Sequence, residues 1–107
     1  MDSTVASDQI VAVLYKNINS REHWNLLRDN SSNSLNISHQ LFTKASKITD
    51  PELIDCVQHC FQRCIFSSEQ LVELAIAFIK ESHLMASTIL TKTFSSFKSS
   101  PKKVVGV

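Results

Sequence analysis

The sequence predicts an all-α protein, and three observations carry that prediction. The 107 residues include one glycine and two prolines, fewer than the turns of a sheet protein require. Apolar residues recur at steps of three and four, which is the period of a helix face. Two segments carry a hydroxyl residue followed three positions later by Glu or Gln: Thr49 with Glu52, and Ser67 with Gln70. That spacing predicts a capping box at each helix start.

Residues 1–33 are predicted to form an N-terminal helical extension. A cap at Ser7 or Asp8 would begin the first helix, on which apolar residues follow the helical period. Ser20 would cap a short second helix that carries the only tryptophan, Trp24. The run of Asp, Asn and Ser that follows predicts a polar loop.

Residues 34–81 are predicted to form a small three-helix bundle, and the sequence places helix starts at Ser34, at Thr49 and at Ser67. About fifty residues make a marginal core, and this segment is rich in large apolar side chains. We therefore expect part of its apolar surface to meet a helix or helix pair from a partner. The residues predicted to bind that partner are Leu41, Val57, Phe61, Leu71, Leu74 and Phe78.

Residues 82–107 are predicted to form a weaker helix and a mobile basic tail. Ser and Thr are dense in this segment, which lowers its helix propensity. No glycine or proline separates it from the fifth helix, so one interpretation extends that helix into it. In the tail, Ser100 precedes Pro101 and is followed by Lys102 and Lys103. This is the form of a proline-directed kinase site, and phosphorylation there would cancel local positive charge.

Three cysteines recur at every fourth position, Cys56, Cys60 and Cys64, with His59 among them. One interpretation is a metal site on a helix face. A structural zinc needs four ligands, usually from paired knuckles on two elements, and the sequence contains no CxxC. Free cysteine packs like a small hydrophobe, so the preferred interpretation is a row of reduced thiols in the core with no bound metal.

The sequence predicts no enzymatic activity and no cofactor, because it contains no glycine-rich loop, acid–base pair or activated nucleophile. The net charge of +1 offers no basic field for nucleic acid. The longest apolar run is too short to cross a membrane. The start of the chain does not read as a secretory signal, and the odd cysteine count fits reduced thiols. We therefore expect a cytoplasmic or nuclear protein.

Residues 35–81 resemble the MOZART family, the small mitotic-spindle organising proteins of gamma-tubulin ring complexes. The family pattern starts with Ile-Ser and an apolar helix, matched here by 35–38 (LNIS) with Leu41. Its second helix has the form Leu-x-x-Cys-Val-x-x-Cys, matched by 53–60 (LIDCVQHC), and a capped third helix is matched by 68–71 (SEQL). Family members usually carry a glycine after the second cysteine, whereas Arg63 and Cys64 occupy that junction here.

The resemblance implies a non-enzymatic small subunit that intercalates with N-terminal helices of a gamma-tubulin complex protein. Such a subunit would support microtubule nucleation and recruitment of the ring to the centrosome or spindle pole in mitosis. From the residues alone, the alternative is a generic helical adaptor or a fragment of a helical-repeat scaffold. A third interpretation, that the chain is a small metalloprotein or a thiol enzyme, depends on the cysteine row alone.

Overall fold

The computed structural model describes residues 3–30 and 34–98. Within these ranges the chain forms six α-helices, which confirms the predicted all-α class. The helices are α1 (Ser3–Lys16), α2 (Arg21–Arg28), α3 (His39–Ala45), α4 (Pro51–Gln62), α5 (Ser68–Lys80) and α6 (Ala86–Lys98). The described residues contain no strand, and their one isolated β-bridge joins Leu35 to Cys64.

Two helix starts were predicted correctly because their caps are local. Ser20 is the N-cap of α2, and its side chain accepts a hydrogen bond from the backbone N–H of His23. Ser67 is the N-cap of α5 and forms a complete capping box with Gln70. The Gln70 N–H lies 3.1 Å from Ser67 Oγ, and the Ser67 N–H lies 3.0 Å from Gln70 Oε1. Both ends of the box therefore satisfy backbone donors that the helix leaves free.

The predicted starts of α1 and α4 were wrong. The first helix already begins at Ser3, upstream of the predicted cap at Ser7, and no proline or glycine lies between them to stop it. At α4 the N-cap is Asp50 rather than Thr49, and the Asp50 carboxylate accepts from the Glu52 N–H at 3.2 Å. Aspartate is among the strongest N-cap residues, and here it displaces the hydroxyl that precedes it.

The predicted cap of α3 at Ser34 was also wrong, because α3 begins after Ser38. The intervening residues lie outside any helix, and the Leu35 N–H donates to the Arg63 carbonyl at 2.9 Å. This bridge holds Leu35 and Ile37 in the core with exposures of 6% and 5%. A contact between distant segments therefore overrides the local helix signal.

The interpretation in which α5 continues past residue 82 was wrong, since a Schellman motif ends the helix. Ser82 adopts a left-handed conformation with φ of 53°. Its N–H donates to Ile79 O, and the His83 N–H donates to Phe78 O, each at 2.9 Å. These are the two backbone bonds that define the motif, which usually places glycine where Ser82 lies.

His83 fastens the turn between α5 and α6 to the rest of the fold. Its Nδ1 accepts from the Met85 N–H at 3.0 Å, and its Nε2 lies 2.7 Å from Ile48 O. The neutral imidazole with its proton on Nε2 satisfies both partners. The ring also meets Phe78 edge to face at 4.8 Å. The entry of α6 is thereby tied to the turn between α3 and α4.

One hydrophobic cluster runs through the described part of the chain, from Leu14 in α1 to Ile89 in α6. The residues outside 34–81 therefore share a core with the predicted three-helix unit. Trp24 of α2 is fully buried, and its Nε1 donates to Ile18 O at 2.7 Å. Helices α1, α2 and α6 supply the cover that three short helices lack.

Candidate functional site

The six residues predicted to bind a partner lie in the interior of the chain. Each is 0–1% exposed, and together they come from α3, α4 and α5. They are Leu41, Val57, Phe61, Leu71, Leu74 and Phe78. In this structure the chain's own side chains cover them, so a partner would reach them only if part of that cover moved.

Aromatic rings fill much of the space around these residues. The Phe42 ring lies 5.7 Å from the rings of both Phe61 and Phe66, and 5.9 Å from that of Trp24. Phe61 and Phe66 lie 5.9 Å apart. These centroid separations are typical of favourable aromatic pairs. The chain's own side chains therefore fill the centre of the molecule, and the candidate site lies at the surface.

The α5–α6 hairpin is the most closely packed pair of helices and runs antiparallel. Its direction is shown by Ser68 at the start of α5, whose Oγ lies 2.9 Å from the Oγ of Ser96 near the end of α6. The other end closes through the short turn at Ser82 and His83. Its two helices therefore lie side by side over most of their length.

Helix α5 exposes an apolar stripe beside its buried side. Val72, Ile76 and Ile79 are 37%, 60% and 50% exposed. Their spacing of four and then three residues places them along one line of the helix. Each follows a buried residue by one position, which is a rotation of about 100° about the helix axis. The buried neighbours are Leu71, Ala75 and Phe78.

Helix α6 carries a second stripe with the same spacing. Leu90 is half-buried, while Phe94 and Phe97 are 63% and 53% exposed. Leu90 and Phe94 also follow their buried neighbours, Ile89 and Thr93, by one position. Ser68, which meets Ser96 of α6, precedes Val72 by four residues, so the α5 stripe lies on the side of α5 that borders α6. Thr88 and Lys92 of α6 reach α4, and the α6 stripe lies on the opposite side of that helix. We call this surface the α5–α6 face; it comprises Val72, Ile76, Ile79, Leu90, Phe94 and Phe97.

Charged residues border the α5–α6 face along α5. Glu69, Glu73 and Lys80 are exposed and separated by four and seven residues, so they share one flank of the helix. His39 of α3 approaches this flank, with its Nε2 3.4 Å from Glu73 Oε1. The flank is acidic toward the start of α5 and basic at its end. An incoming helix would meet a defined charge order beside the apolar stripes.

The cysteine row packs in the core, as its apolar interpretation predicts. Cys56, Cys60 and Cys64 are free thiols with exposures of 0–3%. Cys56 Sγ lies 3.6 Å from Asn25 Oδ1, and Cys60 Sγ lies 3.9 Å from Trp24 O. The row therefore joins α4 to α2 by packing and weak hydrogen bonds.

The three thiols differ in acidity because their surroundings differ. A hydrogen bond between Cys60 and Cys56 is the largest influence on both; it raises the pKa of Cys60 and lowers that of Cys56. Burial raises the pKa of Cys64 to about 11. At neutral pH the deeper thiols are therefore protonated and behave as apolar groups.

His59 points away from the thiols. Its side chain is 62% exposed, and its Nε2 lies 3.7 Å from Asp55 Oδ2 one turn earlier. Among the described residues, no three His, Cys, Asp or Glu side chains are grouped so that they could hold a metal ion. The structure thus does not bring His59 together with the cysteines.

A polar groove of about 540 Å³ lies between α2 and α4. Arg21 is part of its wall and pairs with Asp50 and with Glu52, the latter at 2.7 Å. Arg28 and Asp55 also line it. Because opposite charges alternate along the groove and Arg21 is already engaged, the groove carries no strong preference for an anion or a cation.

The apolar period alone does not separate the α5–α6 face from the core. In the sequence, Val72 and Ile76 only broaden the apolar stripe of α5, and Phe94 and Phe97 continue the apolar pattern past residue 82. The width of the apolar side of α5 is the signal that could have separated the exposed residues from the buried ones. In α5, eight of the nine residues from Leu71 to Ile79 are apolar, which is wider than one core-facing side of a helix.

Two further predictions concern the phosphorylation site at Ser100 and the absence of a membrane-spanning segment. Ser100 and the basic tail lie outside the described residues, so the phosphorylation site stays a prediction from the sequence. Across residues 3–30 and 34–98, no helix has the length and apolar character needed to cross a membrane.

No protein family, curated protein or solved structure matches this chain. The resemblance to the MOZART family therefore depends on the short motifs in residues 35–81. The partner and cellular role that it implies stay predictions.

Proposed function

We propose that this chain is a non-enzymatic interaction subunit that docks an amphipathic helix of a larger protein on its α5–α6 face. The observation that carries the proposal is the pair of apolar stripes on the hairpin. Ile76 and Phe94 are the most exposed apolar residues of the two stripes, at 60% and 63%. Surfaces of this kind are typical of helix-in-groove recognition.

The geometry favours a helical occupant. Both stripes repeat at i, i+4 and i+7, so they run along the helix axes and leave a shallow apolar channel between them. A partner helix with the same spacing could pack its side chains into that channel. Full burial of an Ile or Phe side chain is worth about 1.5–3 kcal/mol, and several such contacts would offset the cost of association.

The family resemblance narrows the partner to the N-terminal helices of a gamma-tubulin complex protein. In that role the subunit would help assemble the microtubule-nucleating ring or recruit it to a spindle pole. The buried residues Leu71, Leu74 and Phe78 would then act indirectly, because they anchor the helix whose outer side meets the partner. The alternative, a helical adaptor of another assembly, uses the same face and differs in the protein recovered.

Affinity purification from cells tests this proposal. The unmodified chain should recover gamma-tubulin with its complex proteins, and Ile76→Glu should lose them because it places a carboxylate in the apolar channel. Thr91→Glu is the matched control, since Thr91 is exposed on α6 outside the face. Equal recovery by both folded variants would rule out docking on this face. Recovery of a different complex, lost on Ile76→Glu, would favour the general adaptor.

A further inference from the structure

We propose that His83 is a pH-sensitive latch, which holds the start of α6 against the turn between α3 and α4 and releases it when the imidazole gains a second ring proton. The latch consists of the hydrogen bonds that join the His83 ring to Met85 and to Ile48. It stands on this geometry alone. Its consequence for partner binding rests on the function proposed above, because α6 carries half of the docking surface.

The two ring nitrogens of His83 face partners of opposite character. Nδ1 lies 3.0 Å from the backbone nitrogen of Met85, whose N–H donates. Nε2 lies 2.7 Å from the carbonyl oxygen of Ile48, which accepts. The neutral ring with its proton on Nε2 meets both demands, whereas the imidazolium carries a proton on each nitrogen. Protonation therefore sets two N–H groups against each other at Met85 and removes that hydrogen bond.

The contact at Met85 matters because it lies at the entry of α6. The Met85 carbonyl accepts from the Ile89 N–H at 3.0 Å, which is the first hydrogen bond of the helical ladder. A residue in this position has a backbone N–H for which the helix offers no partner. The Met85 side chain is fully buried, so loss of the Nδ1 acceptor leaves a donor unpaired at the edge of the core.

The surroundings of the ring allow its charge to change. His83 is half-buried, and it lines a cavity of about 210 Å³ together with Lys47 and Glu81. The Lys47 ammonium pairs with the Glu81 carboxylate, so these two charges largely offset each other at the ring. Lys80 ends α5 beside Glu81, and the first six residues of α6 carry no charge. The hydrogen bonds of the ring therefore decide which of its charge states the closed latch accepts.

The direction of the pH dependence follows from proton uptake. The closed latch binds one proton fewer than the open one, so a fall in pH favours the open latch. A histidine that is exposed to water takes up this proton below about pH 6.5. The latch is therefore closed at neutral pH and weakens as the solution becomes acid.

An open latch would disturb the α5–α6 face. Leu90, Phe94 and Phe97 lie on α6, and the α5 stripe lies on a helix that the latch does not hold at its start. Release of the entry of α6 lets the two stripes lose their alignment. A partner helix that packs on both stripes would therefore bind less tightly in acid.

Nitrogen NMR of the imidazole rings tests the hydrogen-bond roles in the unmodified chain. At about pH 7.5 the resonances of His83 should be those of a neutral ring with its proton on Nε2. A proton on Nδ1, or a charged ring at that pH, overturns the proposal.

Amide hydrogen exchange tests the release. The protection factor of the Met85 amide, corrected for the intrinsic pH dependence of exchange, should fall roughly tenfold from about pH 7.5 to about pH 5.5. His83→Asn should abolish this fall, because an asparagine oxygen accepts from the N–H two residues later and does not titrate. His59→Asn is the matched control, since His59 is exposed on α4, and it should keep the fall.

Circular dichroism at both pH values checks that the helices stay formed in all the variants compared. Equal protection of the Met85 amide at the two pH values in the unmodified chain overturns the proposal. So does an equal fall in His83→Asn.

The latch and the docking function fail in different experiments. A Met85 amide that loses protection in acid, in a chain that recovers no partner, contradicts the docking function alone. A chain that recovers a partner through Ile76, but whose Met85 amide ignores pH, contradicts the latch alone.

Discussion

The ammonium group of Lys92 lies 4.7 Å from the ring centroid of Phe61, in a cation–π contact between α6 and α4. Its Nζ also donates to the carbonyl oxygens of Phe61 at 3.0 Å and Cys64 at 2.7 Å. Phe61 lies in the last turn of α4, where the helix leaves acceptors free, and Cys64 lies two residues past its end. Burial lowers the pKa of Lys92. A cation from a distant helix thus caps α4 and complements its dipole.

Replacing Lys92 should therefore destabilise the fold more than replacing an exposed lysine. Lys92→Met keeps the apolar stem but leaves the α4 carbonyls without their donor. We expect a loss of about 2 kcal/mol in the free energy of unfolding, measured by urea denaturation. Lys98→Met, at the exposed end of α6, should change it by less than about 0.5 kcal/mol. Similar losses for the two variants would show that the cap contributes little.

Ser82 offers a stabilising substitution. Its φ of 53° is costly for a residue with a Cβ and free for glycine. Ser82→Gly should raise the free energy of unfolding by about 0.5–1 kcal/mol, whereas Ser82→Val should lower it. The same exchange at Ser95, which lies inside α6, should lower stability by a similar amount. Thermal melting compares the three, and a destabilising Ser82→Gly would argue against the left-handed turn.

The cysteine pKa values predict an order of alkylation in the folded protein. Cys56 should react first, because its pKa is lowered by the hydrogen bond from Cys60. Cys64 should follow, and Cys60 should react last, since both its hydrogen bond to Cys56 and its burial keep it protonated. Mass spectrometry after timed iodoacetamide treatment reads the order. In urea the three rates should converge, and an unchanged order there would point to sequence rather than structure.

The pair formed by Lys47 and Glu81 predicts an acid-dependent contribution to stability. Lys47 Nζ lies 2.5 Å from Glu81 Oε2, and this hydrogen bond and the lysine charge lower the pKa of Glu81. A carboxylate whose pKa is lower in the folded state than its ordinary value of 4.5 stabilises the fold at pH values above 4.5. That stabilisation disappears as the pH falls through the folded-state pKa.

Lys47→Met should therefore cost stability near neutral pH and cost less near about pH 3. Because both side chains are substantially exposed, added salt should also shrink the difference. Urea denaturation at several pH values measures it. A difference that stays constant from neutral to acid pH would mean that the charge of Glu81 plays no part.

Local signals account for the features that the sequence predicted correctly. The boxes and caps at Ser20 and Ser67 need only residues three positions apart, so the sequence contains the whole interaction. The cap expected at Ser34 failed because the Leu35 N–H pairs with Arg63, which lies twenty-eight residues later. Arg63 also donates to Arg28 O at 2.9 Å and so caps the end of α2. No local sequence pattern predicts a hydrogen-bond donor that comes from a distant part of the chain.

The candidate site shows the same division. The period of apolar residues by itself determined that the chain is helical and that the thiols of α4 face inward, because period and side-chain chemistry are properties of each helix alone. Leu71 and Val72 are both apolar neighbours on α5, yet one is buried and the other exposed. The tertiary structure decided between them, since α6 and α3 pack on one side of α5 and leave the other uncovered. Exposure depends on which surfaces meet, and one helix does not contain that information.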